Sequence, residues 1–215
     1  MRDLVNVTGI VIKSDNYAEY DRRITLLTDE RGKITVFVHG ARRSGNRFMA
    51  TTEPFAFGEF ILTEGRSAYN MQQANISCYF EELRTDLQGF YLGSYILEIA
   101  DYYSRENNDD LELLKLVYQT LKAIVSGKFS LRLIQAVYQI KAIAVNGEFP
   151  GVPLGRSFKP GTVHAVEHVM RSPIERLYTF ELSDEVLDEF ARLSDEFRRQ
   201  LIHKSFNSLA LVEAM

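Results

Sequence analysis

The chain has 215 residues, 46% of them hydrophobic and 25% charged, with a formal net charge of −4. That is enough chain for one large domain or two small ones, and an ordinary globular composition that excludes a mostly disordered polypeptide. The lone Cys78 excludes an internal disulfide framework and any multi-cysteine zinc site, and no run of about 18 apolar residues predicts a membrane span.

The first residues, Met1-Arg2-Asp3-Leu4, lack the apolar core of a signal peptide, so the expected location is the cytoplasm. From there the chain reads as short strands. Val5, Val7, Gly9 and Val11 alternate with Asn6, Thr8, Ile10 and Ile12, a strand apolar on both sides. Ile24 to Thr28 predicts a second strand, Asp29-Glu30-Arg31-Gly32 a polar turn, and Ile34 to Val38 a third strand rich in β-branched residues. Phe55 to Thr63 predicts a fourth, Glu64-Gly65-Arg66 a tight turn, and Ser67 to Tyr79 a long fifth. Five short strands in about eighty residues suggest a small closed barrel, for which the OB-fold is the common solution. Within them Phe37, Phe55, Phe57 and Phe60 read as barrel core, because they sit in alternating apolar segments.

From Glu81 the apolar period lengthens to that of a helix. Leu87 to Tyr103 predicts a strongly apolar first helix. Leu113, Leu114, Val117, Leu121, Ile124 and Val125 form one stripe of a second, with Asn108 or Asp109 as cap and Gly127 as stop. Leu131, Ile134, Val137, Tyr138 and Ile140 to Ile143 make a third, opened by Ser130 and closed at Gly147 and Pro150; the short connections predict antiparallel neighbours. Phe149 to Gly161 reads as a loop. A further helix is predicted from Ser183 to about Ser205, burying Leu187, Phe190, Leu193, Phe197 and Leu201. The fold class is therefore α+β, with an OB-fold barrel domain at 1–80 and a helical domain at 81–215.

Charge is sorted unevenly between these halves. Residues 1–80 carry ten Lys or Arg against nine Asp or Glu, and the remainder fifteen against twenty. The run Gly40-Ala41-Arg42-Arg43-Ser44-Gly45-Asn46-Arg47 stands out, because from Arg31 through Thr52 there is no Asp or Glu at all. Unopposed positive charge on a strand-to-loop passage of an acidic protein points to an anionic partner, phosphate first.

Several motifs then occur in a fixed order: Asn16-Tyr17-Ala18-Glu19-Tyr20-Asp21-Arg22, Gly32-Lys33, Gly40-Ala41-Arg42-Arg43-Ser44 and Pro54-Phe55. They are followed by Leu83-Arg84-Thr85-Asp86-Leu87, Ser94-Tyr95-Ile96-Leu97-Glu98 and, at the end, Lys204-Ser205-Phe206-Asn207-Ser208-Leu209. In this order they resemble the RecO family of recombination mediators. The resemblance implies a protein of bacterial homologous recombination that binds single- and double-stranded DNA and anneals complementary strands. It implies help in loading RecA onto DNA covered by single-stranded-DNA-binding protein, together with RecR. The alternative is an adaptor that recruits RecR and single-stranded-DNA-binding protein with little DNA affinity of its own.

The resemblance and the charge pattern place DNA contacts at Arg42, Arg43 and Arg47, with Lys33, Arg22, Arg23 and Arg66 as neighbours, and Gly40 and Gly45 allowing close approach of the backbone. Base-stacking candidates are Tyr17, Tyr20, Phe48 and Tyr69, which lie near turns or the loop. The family's docking site for the acidic, apolar tail of single-stranded-DNA-binding protein falls at Lys128 and Arg132, with Leu131 and Ile134 as apolar contacts. Not an enzyme, and no cofactor, is the expectation: there is no Gly-x4-Gly-Lys-Ser/Thr phosphate loop, and no residue cluster suggests a nuclease. Many RecO proteins carry a four-cysteine zinc module where residues 149–178 lie here. This chain has no cysteine in that stretch, and His164 and His168, four apart, supply half a metal site at most. A metal-free packed substitute is expected.

Overall fold

A computed structural model describes residues 4–153 and 155–213. Five strands, β1 (Leu4–Tyr17), β2 (Asp21–Thr28), β3 (Gly32–Val38), β4 (Phe57–Glu64) and β5 (Tyr69–Cys78), close into a barrel in the order β1-β2-β3-β5-β4. The OB-fold expectation holds, although β1 runs five residues further than its apolar alternation suggests. Its length lets it pair antiparallel with β4 through Leu4–Ile10 and with β2 through Gly9–Tyr17. The apolar run at its centre marks the corner between those two pairings. A register shift lies between Val11 and Lys13, where the backbone of Val11 bonds both Ala56 and Phe55. Ile10, Val11 and Ile12 are all buried, Val11 within the barrel core and Ile10 and Ile12 outside it.

The barrel interior is filled by inward residues of all five strands, among them Val7, Ile24, Leu26, Val36, Phe60 and Leu62. Closure is least extensive between β3 and β5, which are parallel and register only at Val36–Tyr69 and Phe37–Asn70. The start of β3 is lined instead by residues 105–107: Lys33 N–H donates to the Arg105 carbonyl at 3.0 Å and Asn107 N–H to that of Arg31 at 3.0 Å. Gly32 is required there. Its φ is +61°, and a Cβ would stand 2.1 Å from the Arg105 oxygen. Residues up to Glu81 together with Ala100–Leu114 form one compact unit, and Glu82–Ile99 with the chain from Lys115 onward form the second.

Among the described residues six α-helices follow the barrel: α1 (Leu87–Tyr103), α2 (Leu111–Ser126), α3 (Leu131–Val145), α4 (Pro160–Arg171), α5 (Asp184–Leu201) and α6 (Asn207–Glu213). The caps and stops of α3 and the stop of α2 act where the sequence places them, whereas α2 begins after Asp110 rather than after Asn108 or Asp109. Ser130 Oγ accepts from Leu133 N–H, and Gly127 and Gly147 take positive φ just past α2 and α3. Within the second unit α3 is the central helix. Tyr138 OH donates to the Ile96 carbonyl at 2.9 Å, Gln139 Nε2 to Tyr95 OH at 2.8 Å, and Ser194 Oγ of α5 to the Ala136 carbonyl at 3.1 Å. These bonds let a buried polar seam run through an otherwise apolar interior. α5 ends at Leu201, four residues short of the predicted stop, because Ile202 is extended and buried. No helix of the described residues is long and apolar enough to cross a membrane.

The stretch 149–178 contains α4 and is fastened by charge. Arg156 pairs with Glu196 at 2.5 Å, Lys159 Nζ pairs with Glu185, and Lys159 N–H and Thr162 Oγ1 both donate to Glu189, at 2.9 and 2.5 Å. From below, buried Lys141 donates to the Val169 and Ser172 carbonyls at 3.0 and 2.9 Å, capping the negative end of α4. His164 is exposed, whereas His168 faces Ser172 Oγ, Thr179 Oγ1 and the Phe180 ring. Among the described residues no group of three or more His, Cys, Asp or Glu is arranged to hold a metal.

Candidate nucleic-acid interface

The arginine run leaves β3 through His39 and Gly40, and its root is pinned rather than loose. Asp21, at the start of β2, accepts from Gly40 N–H at 2.8 Å and sits 2.8 Å from His39 Nδ1. The Gly40 N–H and then the His39 ring hold the Asp21 carboxyl below its ordinary pKa. Beyond that root, Arg42 N–H donates to the Tyr20 carbonyl at 2.9 Å and Arg42 Nη1 to the Glu19 carbonyl at 3.1 Å. The Arg43 guanidinium lies over the Tyr20 ring, 5.3 Å from its centroid. The β1–β2 turn and the arginine loop are thereby knit into one surface. Arg42 and Arg43 are exposed, and neither forms a contact ion pair with any described residue, although the charge of Arg43 helps to hold the Asp21 carboxyl down.

The other predicted contacts divide. Arg23 is half exposed and pairs with Asp15 at 3.1 Å, and Arg66 is exposed in the β4–β5 turn. Arg47 is exposed, but its Nη2 donates to the Gln72 carbonyl of β5 at 2.9 Å and its guanidinium lies 4.6 Å from the Phe48 centroid. It therefore fastens the far end of the loop to the barrel. Two residues leave the interface. Arg22, 17% exposed, is bound by Thr52 and by Glu53 at 2.6 Å, and Lys33 is held by the Asp101 carboxylate at 2.9 Å and its carbonyl at 2.6 Å. Cations paired in this way hold the fold together, and although the Arg22 Nε is left buried without a partner, neither head group is presented to a phosphate.

The aromatic candidates also separate. Tyr17 and Tyr20 are exposed, as stacking requires. Tyr69 is 6% exposed within the barrel core, with its hydroxyl accepting from Arg31 at 3.1 Å, and Phe48 packs against that core. Tyr69 is withdrawn from the stacking set by burial, and Phe48, only partly buried, by the Arg47 guanidinium that lies against its ring. Phe37, expected in the core, lies outside it: β3 alternates with Ile34, Val36 and Val38 inward, which turns Phe37 outward against Tyr17 at 4.8 Å between ring centroids. Strand parity in the sequence contained that signal, since Phe37 shares a face with Lys33 and Thr35.

In the helical unit, a groove of about 400 Å³ is lined by Leu92, Leu131, Arg132, Ala191, Asp195 and Val212, among others. It gathers two of the four residues predicted to hold an acidic tail. Lys128 is exposed at the α2–α3 turn and is not part of the lining, and Ile134 is fully buried in the interior, so neither is placed in the groove. Arg132 is already paired with Asp188, and Asp195 adds a second carboxylate to the site.

Two family models cover most of the chain, the recombination protein O N-terminal model over residues 1–80 and the C-terminal model over residues 84–152. The chain belongs to the RecO family. It is 24% identical over 243 aligned positions to the DNA repair protein RecO of Acetivibrio thermocellus, covering 98% of this chain and 97% of that protein. The DNA repair proteins RecO of Bacillus velezensis and Bacillus subtilis are 30% and 29% identical over 147 positions. Those two matches span 68% of this chain and 57% of each relative, so this chain spans just over half the length of those two. The alignment with the Acetivibrio protein is longer than this chain, so that RecO protein carries segments this one lacks. Within this RecO chain, the ion pairs and the Lys141 cap described above hold the 149–178 stretch in place.

Proposed function

We propose that this RecO-family protein works in DNA repair by homologous recombination as a non-enzymatic DNA-binding mediator. In this proposal it binds single- and double-stranded DNA, anneals complementary strands and helps load RecA, with RecR, onto DNA covered by single-stranded-DNA-binding protein. The observation that carries the proposal is the pair Arg42 and Arg43, exposed and without a carboxylate in contact on a pinned loop beside an OB barrel. Each phosphate neutralised by such a cation releases counterions, and affinity comes without base readout. Annealing needs that combination. Charge between two strands is screened by the loop while Watson–Crick edges stay free to pair.

A second activity has its own supporting observation in the helical groove. Leu131 beside Arg132 offers an apolar wall and a cation, the chemistry of an acidic peptide tail with a hydrophobic end. Docking there requires the incoming carboxylate to displace Asp188 from Arg132. This groove supports the adaptor alternative, in which capture of single-stranded-DNA-binding protein and RecR is the main task.

An annealing assay with complementary oligonucleotides separates the two. A mediator accelerates annealing at low salt and loses that activity when Arg42 and Arg43 become Ala. An adaptor leaves annealing at the spontaneous rate yet binds the tail peptide, and Arg132→Glu abolishes that binding. A protein that does neither contradicts both proposals.

A further inference from the structure

The outward face of β1, β2 and β3 differs in chemistry from the loop beside it. Paired residues share a face, so the registers Asp15–Arg23–Phe37 and Tyr17–Asp21 set these side chains on one outer surface, with Thr25 and Thr35 further along it. At its centre the Tyr17 and Phe37 rings meet across β2, their planes tilted by 51° and their centroids 4.8 Å apart. Tyr17 is 47% exposed and Phe37 half-buried, and neither belongs to the barrel core.

The charges around the rings are not those of a phosphate site. Arg23 is answered by Asp15 and His39 by Asp21, so two carboxylates flank the aromatic pair. With both carboxylates answered by cations, phosphate gains little beside the rings, while Arg42 and Arg43, which have no carboxylate in contact, attract it a few residues away, on a loop joined by hydrogen bonds to the Glu19-Tyr20 turn that directly follows β1. A polynucleotide lying along this surface has its backbone drawn to the loop and its bases turned toward the rings. In a duplex each base already stacks on its neighbours, and only its edges are available. In a single strand the π-faces are free.

We propose that Tyr17 and Phe37 form a stacking platform that gives this protein a preference for unpaired strands, while the loop arginines bind single strand and duplex alike. The inference rests on the DNA-binding proposal and adds to it the form of nucleic acid that the barrel face selects. Stacking on the platform contributes affinity that salt does not screen. The arginines contribute the part that salt does screen.

Because the chain contains no tryptophan, Phe37→Trp places a single reporter in the platform. Saturation with an oligothymidylate is expected to quench its emission, and saturation with a duplex of equal length to leave it unchanged. In parallel, Tyr17→Ala and Phe37→Leu are expected to weaken single-strand binding about ten- to a hundredfold, with duplex affinity and the salt slope of both forms preserved. Unaltered thermal unfolding of the Phe37→Leu variant confirms that the barrel is intact. Equal losses on single strand and duplex, no loss on either, or an unquenched Trp on a protein with bound oligothymidylate would each overturn the platform. If the wild type binds neither form, the DNA-binding proposal falls and the platform with it. If it binds both and only discrimination is unaffected by these changes, the platform alone falls.

Discussion

The arginine loop of the barrel and the α4–α5 region of the helical unit use the same residue types in opposite ways. Around α4, Arg156 pairs with Glu196, Lys159 with Glu185, and Glu189 takes donors from Lys159 N–H and Thr162. In the loop, Arg42 is bound only through carbonyl oxygens and Arg43 lies on an aromatic face, so neither has a carboxylate in contact. A cation's neighbours, more than its place in a charge run, decide whether it holds the fold or serves a ligand. Arg22 makes the point within a few residues of the loop: it belongs to the same basic neighbourhood, yet Glu53 and Thr52 have claimed it.

The contrast can be broken experimentally. Changing Arg42 and Arg43 together to Ala is expected to have the largest effect, lowering single-strand affinity on the order of ten- to a hundredfold in low salt while leaving the unfolding temperature unchanged, as read by fluorescence anisotropy and circular dichroism. Arg22→Ala should do the reverse. Removing the partly buried guanidinium leaves Glu53 without its partner, and a stability loss of about 1–3 kcal/mol in urea titration is expected with DNA affinity within about twofold. Lys33→Ala should behave as Arg22→Ala does, with a loss of about 1 kcal/mol, because its ammonium holds Asp101. If either variant weakened DNA binding as strongly as the loop pair, partnering would not be what separates the two kinds of cation.

Two smaller effects sharpen the comparison. Ala18, in the β1–β2 turn to which the loop is tied, has φ of +49°, a conformation costly for an L-residue with a Cβ. Ala18→Gly should therefore stabilise the barrel by about 0.5–1 kcal/mol, read as a higher denaturation midpoint. On the helical side, the hydrogen bond from Thr162 and then that from Lys159 N–H hold the Glu189 carboxyl below its ordinary value of 4.5. A carboxyl whose folded pKa is depressed contributes stability in full above the unfolded value and loses it as pH falls through the folded one. Acid melts should show a decline setting in near pH 4.5 and continuing below, and Glu189→Gln should make that decline shallower.

Much of the barrel was legible in the sequence, because each strand shows the two-residue alternation or β-branched run that a half-buried pleat requires. The corner in β1 was visible only as a strand apolar on both sides; the bulge that explains it depends on pairing with two partners at once. The helices announced themselves through caps and stops at Ser130, Gly127 and Gly147. At the site, local sequence separated exposed from committed residues poorly. Lys33 and Arg22 looked like members of a basic patch because their partners, Asp101 and Glu53, are distant in sequence. Tyr69 looked like a turn aromatic and is an inward residue of β5, whereas Phe37 looked like core and faces out. For these two, period-2 parity along a single strand held the answer, and hydrophobicity alone pointed the wrong way.

Phosphate binding by Arg42 and Arg43 is read out by the dependence of single-strand affinity on salt, measured for the wild type, for the Arg42/Arg43→Ala pair and for Arg22→Ala. The slope of log affinity against log salt should fall in magnitude by roughly 0.7 for each phosphate that is no longer neutralised, hence by about 1.4 in the loop pair, and stay at the wild-type value in Arg22→Ala. An unchanged slope in the loop pair would contradict the assignment of Arg42 and Arg43 as the phosphate-binding cations of this protein.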